Sequence, residues 1–535
     1  MADNNKKDSG FDIKKWFDFS APVFWPAVSV AFAFIAVTLY VGDPMGEIFV
    51  SIQNSISTNA GWFFIMAVNI FLVFMIYLAF SRFGYIKLGG KNSEPEFSTT
   101  AWFAMLFSAG MGIGILFYGV AEPVMHYINP PIGDGETRDA SSVAMRFTFL
   151  HWGFHTWAIY ALVAMSLAFF AFNKGLPLSI RSVFYPVFGD RIYGPWGHFI
   201  DVVAVIATLF GLATSLGFGV TQISTGLQHL FGFEATEITQ VLLIAGITAV
   251  TIVSVVLGID KGVKVLSELN IRIAAAFLIF ILIFGPTVFI LGSYLENTGN
   301  YFQYFLEMSL FNEAFKASQW QNDWTVFYWA WWISWSPFVG IFIARVSKGR
   351  TIKEFVLGVL IVPSLLTFFW LTTFGGSAIY IELNNGGGLA SAVQDDVANA
   401  LFVFLDFFPL SFISSLIAVL LITSFFITSS DSGSLVIDAL TSGGKIDTPF
   451  TQRAFWAVSV GSVAAVLLVG GGLQALQTAA ITTGLPFTFV LLFMAYSLHK
   501  GLDNEHKRNL ELMKEKDRSS YEKTIGDIIE KRRKS

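Results

Sequence analysis

Two clusters of aromatic residues carry the first chemical signal in this chain. In Phe149-Leu-His-Trp-Gly-Phe-His-Thr-Trp-Ala-Ile-Tyr160, a helix would set Trp157 and Tyr160 one turn apart, with Trp152 two turns below Tyr160. A second cluster, Trp331-Trp-Ile-Ser-Trp-Ser-Pro337, supplies Trp331, Trp332 and Trp335. Indole faces are electron-rich, and several together in a dry site attract a cation that has no hydrogen-bond donors of its own. A quaternary ammonium or a sulfonium group fits that description. Tryptophan in membrane proteins collects at the two interfaces, whereas these residues fall deep inside long apolar runs.

The elements that position them read as broken membrane helices. Ala109-Gly-Met-Gly-Ile-Gly114 interrupts the apolar segment 101–119, where each glycine weakens a buried helix. The segment 324–344 is expected to break at its centre, Trp331 to Pro337, with Gly340 close behind. Paired broken helices in matching halves of a chain point to the binding site of a secondary transporter.

Composition agrees. Of 535 residues, 54% are hydrophobic, only 13% are charged and 57 are Phe, with a mean hydropathy of +0.63; this is an integral membrane protein. Without Cys, disulfides, thiolate nucleophiles and iron–sulfur ligation are excluded. There is no G-x-x-x-x-G-K-[ST] loop, HExxH or nucleophile elbow, so ATP drive and an enzyme both lack support. Bilayer-length windows give twelve spans, near 21–41, 61–80, 101–119, 147–172, 199–222, 238–258, 271–292, 324–344, 355–380, 409–430, 453–470 and 481–499. Lys and Arg concentrate in alternate loops, which puts both termini in the cytoplasm. The flanks are a polar tail, 1–20, and a charged tail, 500–535, read as a solvated helix whose basic end can meet anionic lipid. Segment 293–323 reads as an amphipathic connecting helix at the outer interface, or equally as a partly buried loop helix.

These motifs, with Thr428-Ser-Ser-Asp-Ser432, resemble the betaine/carnitine/choline transporter family over nearly the whole chain. The resemblance implies a leucine-transporter-like fold in which 101–292 and 324–499 form inverted five-helix repeats behind two extra N-terminal helices. It also implies a homotrimer in the plasma (inner) membrane. The trimethylammonium cage would be Trp152, Trp157, Tyr160 and Trp332, with Trp335 on the pathway. Amide groups of an unwound Gly110, Met111, Gly112 and Gly114 would receive a substrate carboxylate, helped by Ser215. Choline-transporting relatives carry an acid at the position of Gly114, so glycine here favours a zwitterion such as glycine betaine or dimethylsulfoniopropionate.

The coupling ion implied is Na⁺, held by Thr428 and Ser429 hydroxyls and the carbonyls of Ser108, Met111 and Phe425. Neutral oxygens in that number suit a hard cation. A second family sodium site keeps Thr208 and Phe338 but has Leu212 where a Thr is expected. No other cofactor and no nucleic acid is expected. Proton coupling through His151 or His155 is the alternative drive, with Glu122 read as an end-of-helix residue, and ion-independent exchange of the carnitine type is a further alternative. An ion channel lacks a filter-like loop or ring of charges.

Overall fold

The computed structural model describes residues 16–110, 112–256, 260–315, 318–384, 387–445 and 447–534. Met111, one of the expected carboxylate and sodium contacts, lies outside them. Among the described residues the fold is all α-helical, its one β-bridge joining Lys87 to Thr351. The helices that matter for the site are α1 (Ala21–Val41), α2 (Met45–Phe80), α3 (Thr99–Gly110), α4 (Ile113–Ile128), α5 (Arg138–Trp152) and α6 (Phe154–Ala168). They continue as α7 (Pro195–Phe231), α8 (Glu237–Val256), α9 (Asp260–Phe284), α10 (Thr287–Gln303), α11 (Phe327–Val346), α12 (Ile352–Leu371), α13 (Ser411–Thr441) and α14 (Phe450–Lys534). Among the described residues ten helical stretches are long and apolar enough to cross a bilayer, eleven if the bent pair α3–α4 is taken as one span. The non-helical backbone of Gly471 and Gly472 divides α14 into an apolar part before it and a longer part after it.

The break in the glycine run is where the sequence puts it. Helix α3 stops at Gly110, α4 starts at Ile113, and their axes differ by 66°. The second expected break is absent: α11 runs unbroken through Trp331 to Pro337. A proline deprives the carbonyl four residues earlier of its donor, and here the Ser336 hydroxyl donates to that carbonyl, Ile333, at 2.7 Å. Gly340 has a packing role instead, since a Cβ there would sit 2.5 Å from Val163 Cγ1 on α6.

The interruption falls in the fourth span, expected to be continuous over 147–172. Helix α5 ends at Trp152, Gly153 takes φ −97° and ψ −141°, and α6 restarts at Phe154. A side chain at 153 has no room, because its Cβ would stand 2.5 Å from the Phe149 carbonyl oxygen and 2.9 Å from the Phe368 ring. The seventh span also divides, at Gly285-Pro286, so α10 begins before the expected connecting helix and is followed by a short turn of helix, Phe305–Ser309. Two short helices, Leu389–Asp395 and Ala400–Leu405, precede α13 and were not expected. The last helix continues from its apolar part through the charged tail to Lys534.

A buried ion pair between Arg181 and Asp201, 3.3 Å, ties the loop before α7 to that helix, and Arg181 N–H donates to the same carboxylate at 2.9 Å. One cavity is lined by residues of α3, α4, α5, α6, α7, α9, α11, α12 and α13.

Candidate substrate and ion site

The cavity has a volume of about 360 Å³ and runs between the aromatic clusters and the broken α3–α4 pair. Trp152, Trp157, Tyr160, Trp332 and Trp335 all line it, as do Gly110, Gly112, Gly114 and Ser215. Their rings form a connected set. Trp331 stacks on Trp332 with centroids 4.6 Å apart, and Trp152 meets Trp332 edge to face at 4.9 Å. Trp157 meets Tyr160 at 5.6 Å, and Tyr160 faces Trp332 at 6.4 Å. The break at Gly153 gives Trp152 and Trp157 independent helical frames.

Each buried indole N–H must find an acceptor. Trp331 donates to Ser215 Oγ at 3.0 Å, Trp332 to the His151 carbonyl at 2.9 Å, and Trp152 to Glu122 Oε2 at 2.7 Å. Ser215 in turn donates to the Gly211 carbonyl of its own helix, 3.3 Å. It therefore holds Trp331 while facing the cavity.

The glycines serve two different purposes. A Cβ at Gly110 would lie 2.5 Å from Trp157 Cζ2, and one at Gly114 would lie 2.8 Å from Trp331 Cη2; both let backbone touch the rings. Gly112 has open space around it and extended backbone. It precedes the first turn of α4, where no side chain caps the amides. Gly112, Ile113, Gly114 and Ile115 line the cavity, so this helix start presents the free N–H groups and positive dipole end that bind anions.

Along the same cavity lie Ser108, Phe425, Thr428 and Ser429. The Thr428 hydroxyl donates to the carbonyls of Ser424, 3.1 Å, and Phe425, 3.2 Å. A hydroxyl spending its proton on its own helix still has lone pairs to offer a cation. Phe338 lines the cavity and packs edge to face on Trp335 at 5.0 Å. Thr208 does not line it; fully buried, it donates to the Ala204 carbonyl at 2.7 Å. Leu212 is packed against Gly433, where a Cβ would come within 2.6 Å of its methyls.

Glu122 departs most from its expected place. It lies within α4 beside Pro123, not at the helix end, and is fully buried. Trp331, counted in the second aromatic cluster though not among the cage residues implied by the resemblance, also lines the cavity, as do Thr156, Asn270 and Arg345, which no sequence motif marked as cavity residues. Asn270 accepts from Ser424 Oγ at 2.5 Å.

A family model described as BCCT, betaine/carnitine/choline family transporter, matches residues 22–507. The chain belongs to this family. It is accordingly a transporter and not an enzyme, and its apolar helices make it a multi-pass membrane protein. Among relatives of this BCCT transporter, a glycine betaine transporter of Acinetobacter baylyi is 47% identical over 90% of this chain and 73% of its own length. A glycine betaine/proline/choline/ectoine transporter of Vibrio parahaemolyticus is 49% identical over 92% of this chain and 89% of its own. A probable glycine betaine transporter of Desulfitobacterium hafniense is 43% identical, covering 90% and 98%.

Proposed function

We propose that this BCCT transporter imports a methylated zwitterionic osmolyte, glycine betaine or dimethylsulfoniopropionate, by symport with Na⁺. The observation that carries the reading is the meeting of two opposite subsites in one cavity. Aromatic faces of Trp152, Trp157, Tyr160 and Trp332 suit the cationic head, and the uncapped start of α4 suits the carboxylate. Gly110 and Gly114 touch the Trp157, Trp152 and Trp331 rings, so the two subsites are a short molecule apart. The names of the relatives, glycine betaine transporters, point the same way.

Na⁺ would sit between α3 and α13, on Thr428, Ser429 and the carbonyls of Ser108, Met111 and Phe425, and so tie the broken span to the opposite side of the cavity. With Leu212 in place of a hydroxyl and Thr208 off the cavity, one Na⁺ per cycle is the stoichiometry we assign. The cavity extends to Arg345 at the end of α11, the end that the Lys and Arg pattern assigns to the cytoplasm. Trp320, Trp324 and His126 pack together beyond the cage on the other side. We read this as the inward-facing arrangement of an alternating-access cycle. Counting the bent pair as one span and the two parts of α14 separately supports twelve spans, and we propose that they are arranged as inverted five-helix repeats after α1 and α2, in homotrimers in the plasma membrane.

The test is uptake of labelled glycine betaine into proteoliposomes under an imposed Na⁺ gradient. Saturable accumulation that collapses without Na⁺ is expected; accumulation driven by a pH gradient in Na⁺-free buffer would overturn Na⁺ symport in favour of proton coupling.

A further inference from the structure

The polar cluster behind the cage is built around a single carboxylate. Glu122 Oε2 accepts from Trp152 Nε1 at 2.7 Å and from the Tyr328 hydroxyl at 2.5 Å. Glu122 Oε1 pairs with His151 Nδ1 at 2.6 Å and His126 Nε2 at 3.3 Å. The far nitrogen of His151 bonds Thr325 Oγ1 at 2.9 Å, and the backbone carbonyl of His151 accepts from Trp332 Nε1 at 2.9 Å. Glu122, His126, His151 and Tyr328 are all fully buried. The three groups Glu122, His126 and His151 lie close enough to hold a metal ion, but both carboxylate oxygens already receive donors, two of them from Trp152 and Tyr328. The arrangement is a hydrogen-bond hub.

We propose that Glu122 is a specificity-determining positioning residue of the cage. Trp152 hangs from it directly, and Trp332 hangs from the backbone carbonyl of His151, the residue whose imidazole the same carboxylate holds, so the carboxylate fixes the Trp152 ring against the Trp332 face. It does a second thing. An indole whose N–H donates to a carboxylate gains electron density over its face, and the charge itself stands behind that ring in a site with little water to screen it. The surrounding bonds come from imidazole, phenol and indole; the ion pairs of Glu122 are with histidines alone, so no Lys or Arg in those pairs cancels its field. The hub therefore favours a permanent cation in the cage over an uncharged group of equal shape. The inference rests on the cage reading above.

The experiment compares two ligands that differ only in that charge, glycine betaine and 3,3-dimethylbutyrate, by competition binding to the purified protein in Na⁺ buffer. Glu122→Gln keeps the shape and loses the charge. Betaine affinity is expected to fall by about tenfold or more, while affinity for 3,3-dimethylbutyrate stays within about twofold, so the discrimination between them collapses. A role in folding alone would weaken both ligands together, and that result, or an unchanged ratio, overturns the proposal. Should Glu122→Gln not fold, Tyr328→Phe and Trp152→Phe remove single donors to Oε2. Tyr328→Phe concentrates the carboxylate on Trp152 and is expected to keep the ratio, whereas Trp152→Phe unhooks a ring from the charge and is expected to lower it; the same ratio in both overturns the proposal. A wild type that fails to prefer betaine overturns the cage reading itself, which separates the two failures.

Discussion

At the scale of single residues, the cavity lining divides into aromatic faces, proposed to meet substrate, and glycines that make room for them. Trp332 stacks on Trp331 and meets Trp152 and Tyr160, so Trp332→Ala removes a face shared by the whole cage. A face in a desolvated site is worth about 1 to 2 kcal/mol, roughly a fivefold to thirtyfold rise in the half-saturating betaine concentration. Uptake kinetics on protein of normal thermal stability would check it, and wild-type affinity would refute the cage. The glycines give a sharper contrast. Gly112→Asp introduces a negative side chain into open space at the amide-lined end, so it should weaken carboxylate-bearing ligands by like-charge repulsion and spare choline. Gly114→Asp cannot make that test cleanly, because its Cβ would already press on the Trp331 ring at 2.8 Å. Gly110→Ala should impair both ligand types equally, since it drives a methyl into Trp157. Betaine and choline binding to these variants distinguishes charge from shape. Much of this was readable beforehand: the rings and glycines are local motifs. Glu122 was not, because its partners come from α5, His151 and Trp152, and α11, Tyr328, far away in sequence, and beside Pro123 it has the look of a helix end.

At the scale of helices, the sequence rule that glycine and proline break helices succeeded once and misled once. Three glycines in six residues, with backbone pressed against indole rings, end α3 and begin α4. Pro337 leaves α11 intact because the residue before it repairs the damage. The lone Gly153 breaks the fourth span although single glycines are common in membrane helices, and in this broken geometry the Phe149 carbonyl and, from α12, the Phe368 ring leave no space for a Cβ, so only glycine fits. The Ser336 repair can be measured. Ser336→Ala orphans the buried Ile333 carbonyl and should cost about 1 to 2 kcal/mol, seen as a lowered melting temperature in detergent. In a Pro337→Ala background the restored backbone N–H at 337 can bond Ile333, so the same Ser336→Ala change should cost much less. Equal costs in the two backgrounds would show that the hydroxyl is not replacing the missing donor.

At the scale of the whole molecule, the proposed symport needs a physical link between the ion and the substrate. The cavity is walled by α3 and α4 on one side and α13 on another, with the Thr428 and Ser429 hydroxyls beside Ser108 and Phe425. A Na⁺ ion there would pull α3 and α13 together while the amides at the start of α4 hold the carboxylate, so ion and substrate favour the same arrangement of the broken span. Two ligands that stabilise one state raise each other's affinity by the same factor. Dehydrating Na⁺ is offset only by oxygens that replace its water, and Thr428→Ala with Ser429→Ala removes two of them. The double variant should therefore lose Na⁺-driven uptake or need about tenfold more Na⁺ or greater for half-saturation, and its betaine affinity should become insensitive to Na⁺. Leu212 is packed on Gly433 where a second hydroxyl is expected, and Thr208 does not line the cavity, so a single Na⁺ per cycle is the stoichiometry proposed. The Na⁺ dependence of wild-type uptake should then be hyperbolic, with a Hill coefficient near 1. A sigmoidal dependence, abolished by Thr208→Ala, would overturn that stoichiometry and place a second ion beside Thr208.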